Sequence, residues 1–376
     1  MANDLTTLTP TLFSAAQEVS NEPFGIVESI AVDFDDQGVA FGDAVDVTVA
    51  PTRTPKAFTP GINAPAGDDA TSTTEQVVIT RSDLVDWYLT GEQLRKLENG
   101  GTDQEWVRQL IAQGMRALRN QAEEDCATAV KVGASRAIGT AGSSPFASNI
   151  DSLVDLRKVL RDNGAPMADL QCVMDTGDGA ALRKLGIITD ADKAGSAEER
   201  RTGNLLRQYG FQLRESAGIQ LHTAGTGTGY NANGALAVGA STVVAEAGSG
   251  TILAGDIIEF AASADTNQYI VRSALASNEF TINRPGLRDE VADDEGFTLV
   301  GAYTPVLGFE RSAVVGVMRP PVMPPNANHQ SVLISDEMGM TYLLVQIQQY
   351  GQTKWELHLA SGFKVVQPEH VAILLS

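Results

Sequence analysis

The chain is short of the residues from which most catalytic centres are built. Its 376 residues include two cysteines and four histidines. Cys126 falls in a helical pattern and Cys172 in an apolar strand pattern, which suits small buried thiols in a reducing compartment better than a disulfide framework. His222, His329, His358 and His370 are scattered without metal-ligand spacing, and His358 falls on the polar face of its strand, where solvation is expected. Basic residues are outnumbered 27 to 47, giving a formal charge of −20. Such a charge repels polyanions unless a basic stripe overrides it, and none can be read: residues 1–80 carry twelve acids against Arg53 and Lys56. No apolar run reaches the roughly 20 residues needed to span a bilayer, and Met1 to Thr11 is polar with no signal-like core. Neither membrane anchoring nor export by a signal peptide is expected.

The motifs that suggest chemistry are incomplete. Asp175-Thr176-Gly177, after Cys172, Val173 and Met174, mimics an aspartic-protease triplet, but that chemistry needs two carboxylates sharing a proton and no second triplet exists. Asp175 or Asp178 is instead expected to cap the following helix. Asp190, Asp192 and Gly195 match part of a calcium loop, yet Ala194 replaces a ligand and Arg201 stands where a bidentate glutamate is required. Gly225-Thr226-Gly227-Thr228-Gly229 has the wrong spacing for a dinucleotide loop and reads as a flexible hairpin tip. No serine lies in a nucleophile-elbow context. No catalytic, cofactor or metal residue is assigned, and the chain is not expected to be an enzyme.

What is present is a long, ordered series of elements. At 376 residues two or three substructures are expected. Leu5 to Asn21 reads as an amphipathic arm, with Leu8, Leu12, Phe13 and Ala16 on one helical face, and Ile26 to Val49 as two strands joined at Asp35, Asp36, Gln37 and Gly38. From Pro51 to Thr74 the pattern collapses, leaving Phe58 and Ile62 as the large apolar groups of a long loop. Such loops are usually functional or disordered. A strand over Gln76 to Arg81 restores order. Thr102 with Glu105 forms a capping box, and Trp106, Leu110, Gly114, Leu118, Ala122, Cys126 and Ala129 recur at helical spacing to about Arg136, a rod of roughly 50 Å. Further on come a helix over Ile150 to Asn163, a buried strand over Leu170 to Met174 and a short helix over Ala180 to Leu185. Four short strands lie between Thr251 and Ala302, carrying Ile257 with Phe260, Tyr269 with Val271, Phe280 with Ile282, and Phe297 with Leu299. At the end of the chain, Ala313 to Met318 is apolar and Pro320, Pro321, Pro324 and Pro325 interrupt it. A hairpin then turns at Tyr350, Gly351 and Gln352, with Trp355, Leu357 and Leu359 on its apolar face, and Val371 to Leu375 makes a final strand.

The segments Gly308 to Ala313, Met318 to Pro321, Gln348 to Tyr350 and Gln367 to His370, in that order, resemble the major capsid (coat) proteins of tailed bacteriophages. Ala254 to Ile258 and Asn283 to Leu287 add to the resemblance, which is nearest to the podovirus-type branch with an inserted β domain. The resemblance implies an α+β, encapsulin-like fold: an N-terminal arm and first strand over 1–35, an extended loop over 36–78, a peripheral domain with a spine helix over 79–137, and an axial domain over 138–250 and 303–335. It also implies a small inserted barrel-like β domain over 251–302, short for this branch and with its closure left open, and C-terminal peripheral strands over 336–376. The implied function is self-assembly into the hexamers and pentamers of an icosahedral head enclosing double-stranded DNA. A portal protein, a scaffolding protein and decoration proteins are the implied partners, without tight nucleic-acid or membrane binding. The protein would be made and assembled in the host bacterial cytoplasm and reside in the virion. Lys56, Phe58, Ile62 and Trp106 are the candidate assembly residues, Lys56 also as a conceivable cross-linking lysine. The alternatives are an encapsulin-like compartment shell and a β-rich carbohydrate-binding protein, which would not need the long helix.

Overall fold

The computed structural model describes residues 23–34, 38–49, 55, 57, 60, 73–100, 103–185, 207–261, 267–323, 329–336 and 339–376. The expected arm at Leu5 to Asn21, the turn at Asp35 to Gln37, nearly all of the Pro51 to Thr74 loop, Thr102 of the capping box and the calcium-like stretch at Asp190 to Arg201 lie outside these residues.

In chain order the elements begin with helix α1 (Gly25–Ser29) and strands β1 (Ala31–Phe34), β2 (Ala44–Val49), β3 (Thr73–Val78) and β4 (Arg81–Thr90). Helices α2 (Gly91–Gly100) and α3 (Asp103–Gly133) follow, then β5 (Arg136–Ile138), α4 (Ser152–Asp162), β6 (Leu170–Met174), α5 (Thr176–Arg183) and β7 (Phe211–Glu215). The remaining strands are β8 (Tyr230–Ala232), β9 (Thr242–Glu246), β10 (Ile257–Phe260), β11 (Gln268–Ala276), β12 (Glu279–Ile282), β13 (Gly296–Leu299), β14 (Pro305–Glu310), β15 (Val314–Arg319), β16 (His329–Ser335), β17 (Thr341–Gln349), β18 (Gln352–Val365) and β19 (Val371–Leu375).

Helix α3 organises the molecule. Its 31 residues make a rod of about 46 Å, too long for one small core, and it serves two. Val107, Ile111, Met115, Leu118 and Ala122 pack on Trp87, Tyr342, Leu344, Leu357 and Leu359 of a six-stranded sheet ordered β1-β15-β18-β17-β16, with β4 also paired to β18. Farther along, Cys126, Ala127 and Val130 of the helix, with Ala134 just past its end, join Val173, Leu307, Phe309 and Ile373 of the second sheet. Among the described side chains of the helix the first buried one is Val107, one residue beyond Trp106, which is 36% exposed.

The long strand β18 is the centre of the first sheet. Gln349 pairs with Gln352 across a two-residue turn, and Gly351, at φ +74°, supplies the left-handed conformation that such a tight turn needs. On its other side β18 pairs antiparallel with β4 along its length, Trp355 opposite Trp87. His358 differs from expectation: it is 6% exposed and lies 3.1 Å from Glu356 Oε2. Alternation along β18 places it on the face away from α3, where it is buried between Glu356 and its cross-strand neighbour Leu343 although Leu84, opposite it on β4, stays half exposed.

The front of the chain also differs. Gly25–Ser29 is a helical turn rather than a strand. β1 and β2 do not form a hairpin with each other, since β1 runs parallel to β15 while β2 pairs with β3. The β2–β3 ribbon is the base from which the Pro51 to Thr74 stretch departs. Lys364 of β18 fastens it, donating to Glu75 Oε2 at 2.7 Å and to the Gln76 carbonyl at 3.0 Å.

The second sheet has the order β10-β13-β8-β9-β12-β11-β5-β19-β14-β6-β7. Its first six strands close on themselves because β10 also pairs with β11, so the inserted domain is a closed antiparallel barrel. β8 and β9 complete the ring and precede residue 251, so the barrel begins ahead of the expected boundary. Its core includes Tyr230, Val243, Phe260, Tyr269, Phe280 and Phe297. The final strand β19 lies between β5 and β14, not with the first sheet as the 336–376 assignment implied. Alpha helix α4 covers this sheet through Leu153, Leu156 and Leu160.

Candidate functional site

Hydrophobic burial explains why α3 lies where it does; polar side chains fix what is attached to it. At its middle, Arg119 and Glu123 stand four residues apart and therefore share a face. Both are 1% exposed. The Arg119 guanidinium lies 3.8 Å from the centroid of the Phe24 ring and its Nη1 is 3.7 Å from Asp336 Oδ2, a desolvated cation held by an aromatic face and a carboxylate. Glu123 accepts from the Ile26 and Val27 amides at 3.3 and 3.2 Å and from the Ser216 hydroxyl at 2.8 Å. Burial pushes its carboxyl up to about 7, although those donors and Arg119 pull it down.

Near the end of α3, Lys131 Nζ lies 3.3 Å from His222 Nδ1, and His222 Nε2 lies 2.8 Å from Asp256 Oδ1. An ammonium has no lone pair, so Nδ1 accepts and Nε2–H donates to the carboxylate. Asp256 is fully buried and also accepts from the Gly225 and Leu253 amides, at 3.1 and 2.7 Å. Burial lowers the Lys131 ammonium below its ordinary value, with Asp256 opposing the shift. This looks like a relay, but no hydroxyl or thiol nucleophile is hydrogen-bonded to the histidine among these contacts. It ties the long helix to the barrel. Gly225 to Gly229 is correspondingly a bonded stretch rather than a flexible tip: the Gly227 amide donates to the Thr251 carbonyl at 2.9 Å and Thr228 bridges Ser249.

The helix C-terminus is closed from the barrel. Asn283 Nδ2 donates to the Val132 and Ala134 carbonyls at 2.6 and 2.8 Å, satisfying acceptors that every helix end leaves open. Beside this cap lies a cavity of about 240 Å³ bordered by Glu75, Arg272, Asn283, Arg284, Lys364 and Val365. Hydrogen bonding from Lys364 holds the Glu75 carboxyl below its usual range.

The sequence-derived candidates are not brought together. Lys56, Phe58 and Ile62 lie outside the described residues, and Trp106 stands on the first turns of α3, half out of its buried stripe. Asp175 caps α5 by accepting from the Asp178 amide at 2.7 Å, a structural role. Cys126 and Cys172 are free and buried, and burial raises both thiols, Cys172 to about 12. Among the described residues no three His, Cys, Asp or Glu side chains form a metal-binding group, and no helix is long and apolar enough to cross a membrane. The junction residues Glu123, Lys131 and Asp256 escaped the sequence reading because a charged residue in an amphipathic pattern is expected to face water. Their partners lie far away in the chain.

No family model matches the chain, and no curated protein does. Among solved structures, the chain is similar to one described as the capsid of the cyanophage P-SCSP1u, at 12% identity, covering 94% of this chain and 88% of the other with a TM-score of 0.47. It is similar also to a chain from the mature capsid of bacteriophage PhiM1, at 13% identity, 94% and 87% coverage and a TM-score of 0.46. A virus-like particle from Pyrococcus furiosus gives 11% identity, 97% and 98% coverage and a TM-score of 0.46. Likenesses this loose do not by themselves assign a function.

Proposed function

We propose that this chain is a shell-forming structural protein, the major capsid protein of a tailed bacteriophage. The observation that carries the reading is α3: one helix serves the cores of two sheets, a two-stranded ribbon opens at its side into the Pro51 to Thr74 stretch, and a barrel is inserted before the closing strands. These parts support the reading, with the barrel starting ahead of residue 251 and β19 lying in the second sheet. In this reading, copies associate into hexamers and pentamers of an icosahedral head around double-stranded DNA, with a portal protein, a scaffolding protein and decoration proteins as partners. Assembly takes place in the host bacterial cytoplasm, and the product is the virion. Chemistry at the junctions is structural and no catalytic step is assigned.

The charge supports the same reading. A wall of chains at −20 each repels packaged DNA instead of gripping it, while firm assembly follows from many weak contacts made by each subunit at once. An encapsulin-like compartment shares the architecture but encloses protein cargo; a cargo enzyme encoded beside this chain, in place of portal and packaging genes, would favour it. A carbohydrate-binding protein has no use for a 31-residue helix. Sedimentation velocity on the expressed protein, with scaffold supplied, is expected to show large discrete particles. A 39.8 kDa species alone under every assembly condition would overturn the proposal.

A further inference from the structure

Three parts of the fold meet at the C-terminal end of α3: the β2–β3 ribbon through Glu75, the barrel through Arg272 and Arg284, and β18 through Lys364. The open cavity of about 240 Å³ between them has room for several waters, and so for a small organic anion or the tip of a side chain. Its wall is cationic, in a chain that carries 47 acids against 27 bases.

The cations are not used equally. Lys364 is committed to the ribbon, donating to Glu75 Oε2 at 2.7 Å and to the Gln76 carbonyl at 3.0 Å. Arg284 Nε stands 3.6 Å from Glu369 Oε1, an ion pair too long to be a hydrogen bond. Arg272 is exposed and makes no hydrogen bond or ion pair with the described residues. The strand explains where it points: Tyr269 and Val271 of β11 fill the barrel core, so Ile270 and Arg272 lie on the other face, where Ile270 packs in the cluster of Val130 and Val365. Arg272 is thereby set against the end of α3 and lines the cavity. The negative end of that helix would oppose an anion, but Asn283 caps it at the Val132 and Ala134 carbonyls. The Glu75 carboxyl registers the field inside: the hydrogen bond from Lys364 lowers it most, the charges of Lys364, Arg284 and Arg272 lower it further, and burial opposes them.

We propose that this cavity is a carboxylate-binding site, in which Arg272 and Arg284 hold the anion while Lys364 keeps Glu75 engaged beside it.

A guanidinium presents paired N–H donors that match the two oxygens of a planar carboxylate. Three cations against Glu75 and Glu369 leave one positive charge in excess, which suits a singly charged carboxylate better than a phosphate dianion. The carboxylate has two sources: a small organic acid, or an Asp or Glu side chain of a second copy of this acidic chain.

Nitrogen-15 NMR of the arginine side chains in the full, unassembled chain tests the site. Sodium succinate, titrated against sodium chloride at matched ionic strength, is expected to shift the Arg272 and Arg284 Nε–H signals saturably, with a Kd of about 1 mM. Chloride is expected not to. Arg272→Gln has no partner to lose and should fold as wild type, binding succinate about tenfold more weakly or worse when read on Arg284. Raising the protein concentration without succinate distinguishes the sources. Shifts of the same two signals, reversed by succinate, assign the carboxylate to a second copy; succinate binding without any concentration dependence assigns it to a small acid. Arginine signals that respond to neither, or an unchanged affinity in Arg272→Gln, would overturn the proposal. The wild-type titration decides by itself should the variant not fold, and it does not depend on whether the chain forms shells.

Discussion

Asn283 is the narrowest link between the barrel and the long helix, and removing it should damage both sides in a defined way. It is 2% exposed, and its amide donates to two carbonyls, Val132 O and Ala134 O. Asn283→Ala leaves both acceptors with one donor fewer in a dry place, at about 1–3 kcal/mol for each group left unsatisfied. Either carbonyl can recover part of this through the adjoining cavity, so a total of about 2–4 kcal/mol is expected. Asn283→Asp keeps the shape but replaces the donors by an anion pointing at the negative end of a helix. It should be at least as damaging as alanine, even with Arg272, Arg284 and Lys364 near enough to temper the charge. Hydrogen exchange should show protection lost first in the last turn of α3 and in β12, with the six-stranded sheet unchanged. If Asn283→Asp proves as stable as wild type, packing rather than hydrogen bonding makes the link and the reasoning fails.

Leu118→Pro breaks α3 where it crosses the six-stranded sheet, and at roughly 3 kcal/mol or more for the backbone alone it should abolish soluble folded protein; normal yield and circular dichroism would show the helix assignment to be wrong. Phe297→Ala removes the ring that meets Tyr230, Phe260 and Phe280 at centroid distances of 5.9, 5.8 and 5.6 Å, costing about 3–5 kcal/mol. That loss should appear as faster proteolysis within residues 225–302 and leave α3 protected, whereas uniform destabilisation would contradict a barrel with its own core. The Pro51 to Thr74 stretch, with only Phe58 and Ile62 as large apolar groups, cannot offset roughly 1–2 kcal/mol of backbone ordering per residue by itself. Mass-spectrometric mapping should find it cut in free protein and protected in assembled particles; equal cutting in both would remove its role between subunits.

The legible parts of this fold are those where local pattern and tertiary environment agree. Asn163 and Gly164 stop α4 as their chemistry predicts, all five residues of β6 are buried as an apolar run implies, and the turn at Gly351 was readable from its neighbours. Strand β4 was obscured because Leu84 and Tyr88, 50% and 60% exposed, put apolar residues on the open face and blur the period of two. The segment Gly25–Ser29 reads as a strand, but its first amides are captured by Glu123, nearly a hundred positions away. The barrel's closure was hidden for a related reason. Two of its strands come from a Gly-rich stretch whose first residue, Gly225, is bonded to Asp256, and Asp256 is in turn satisfied in its buried place by His222 and the Leu253 amide.

Electron microscopy of the purified full-length chain, expressed with and without a scaffolding protein, tests the central claim most directly. Closed shells, or rings with five- and six-fold symmetry, are the predicted result. Particles that remain single subunits across concentration, salt and scaffold would contradict it, however well the chain is folded.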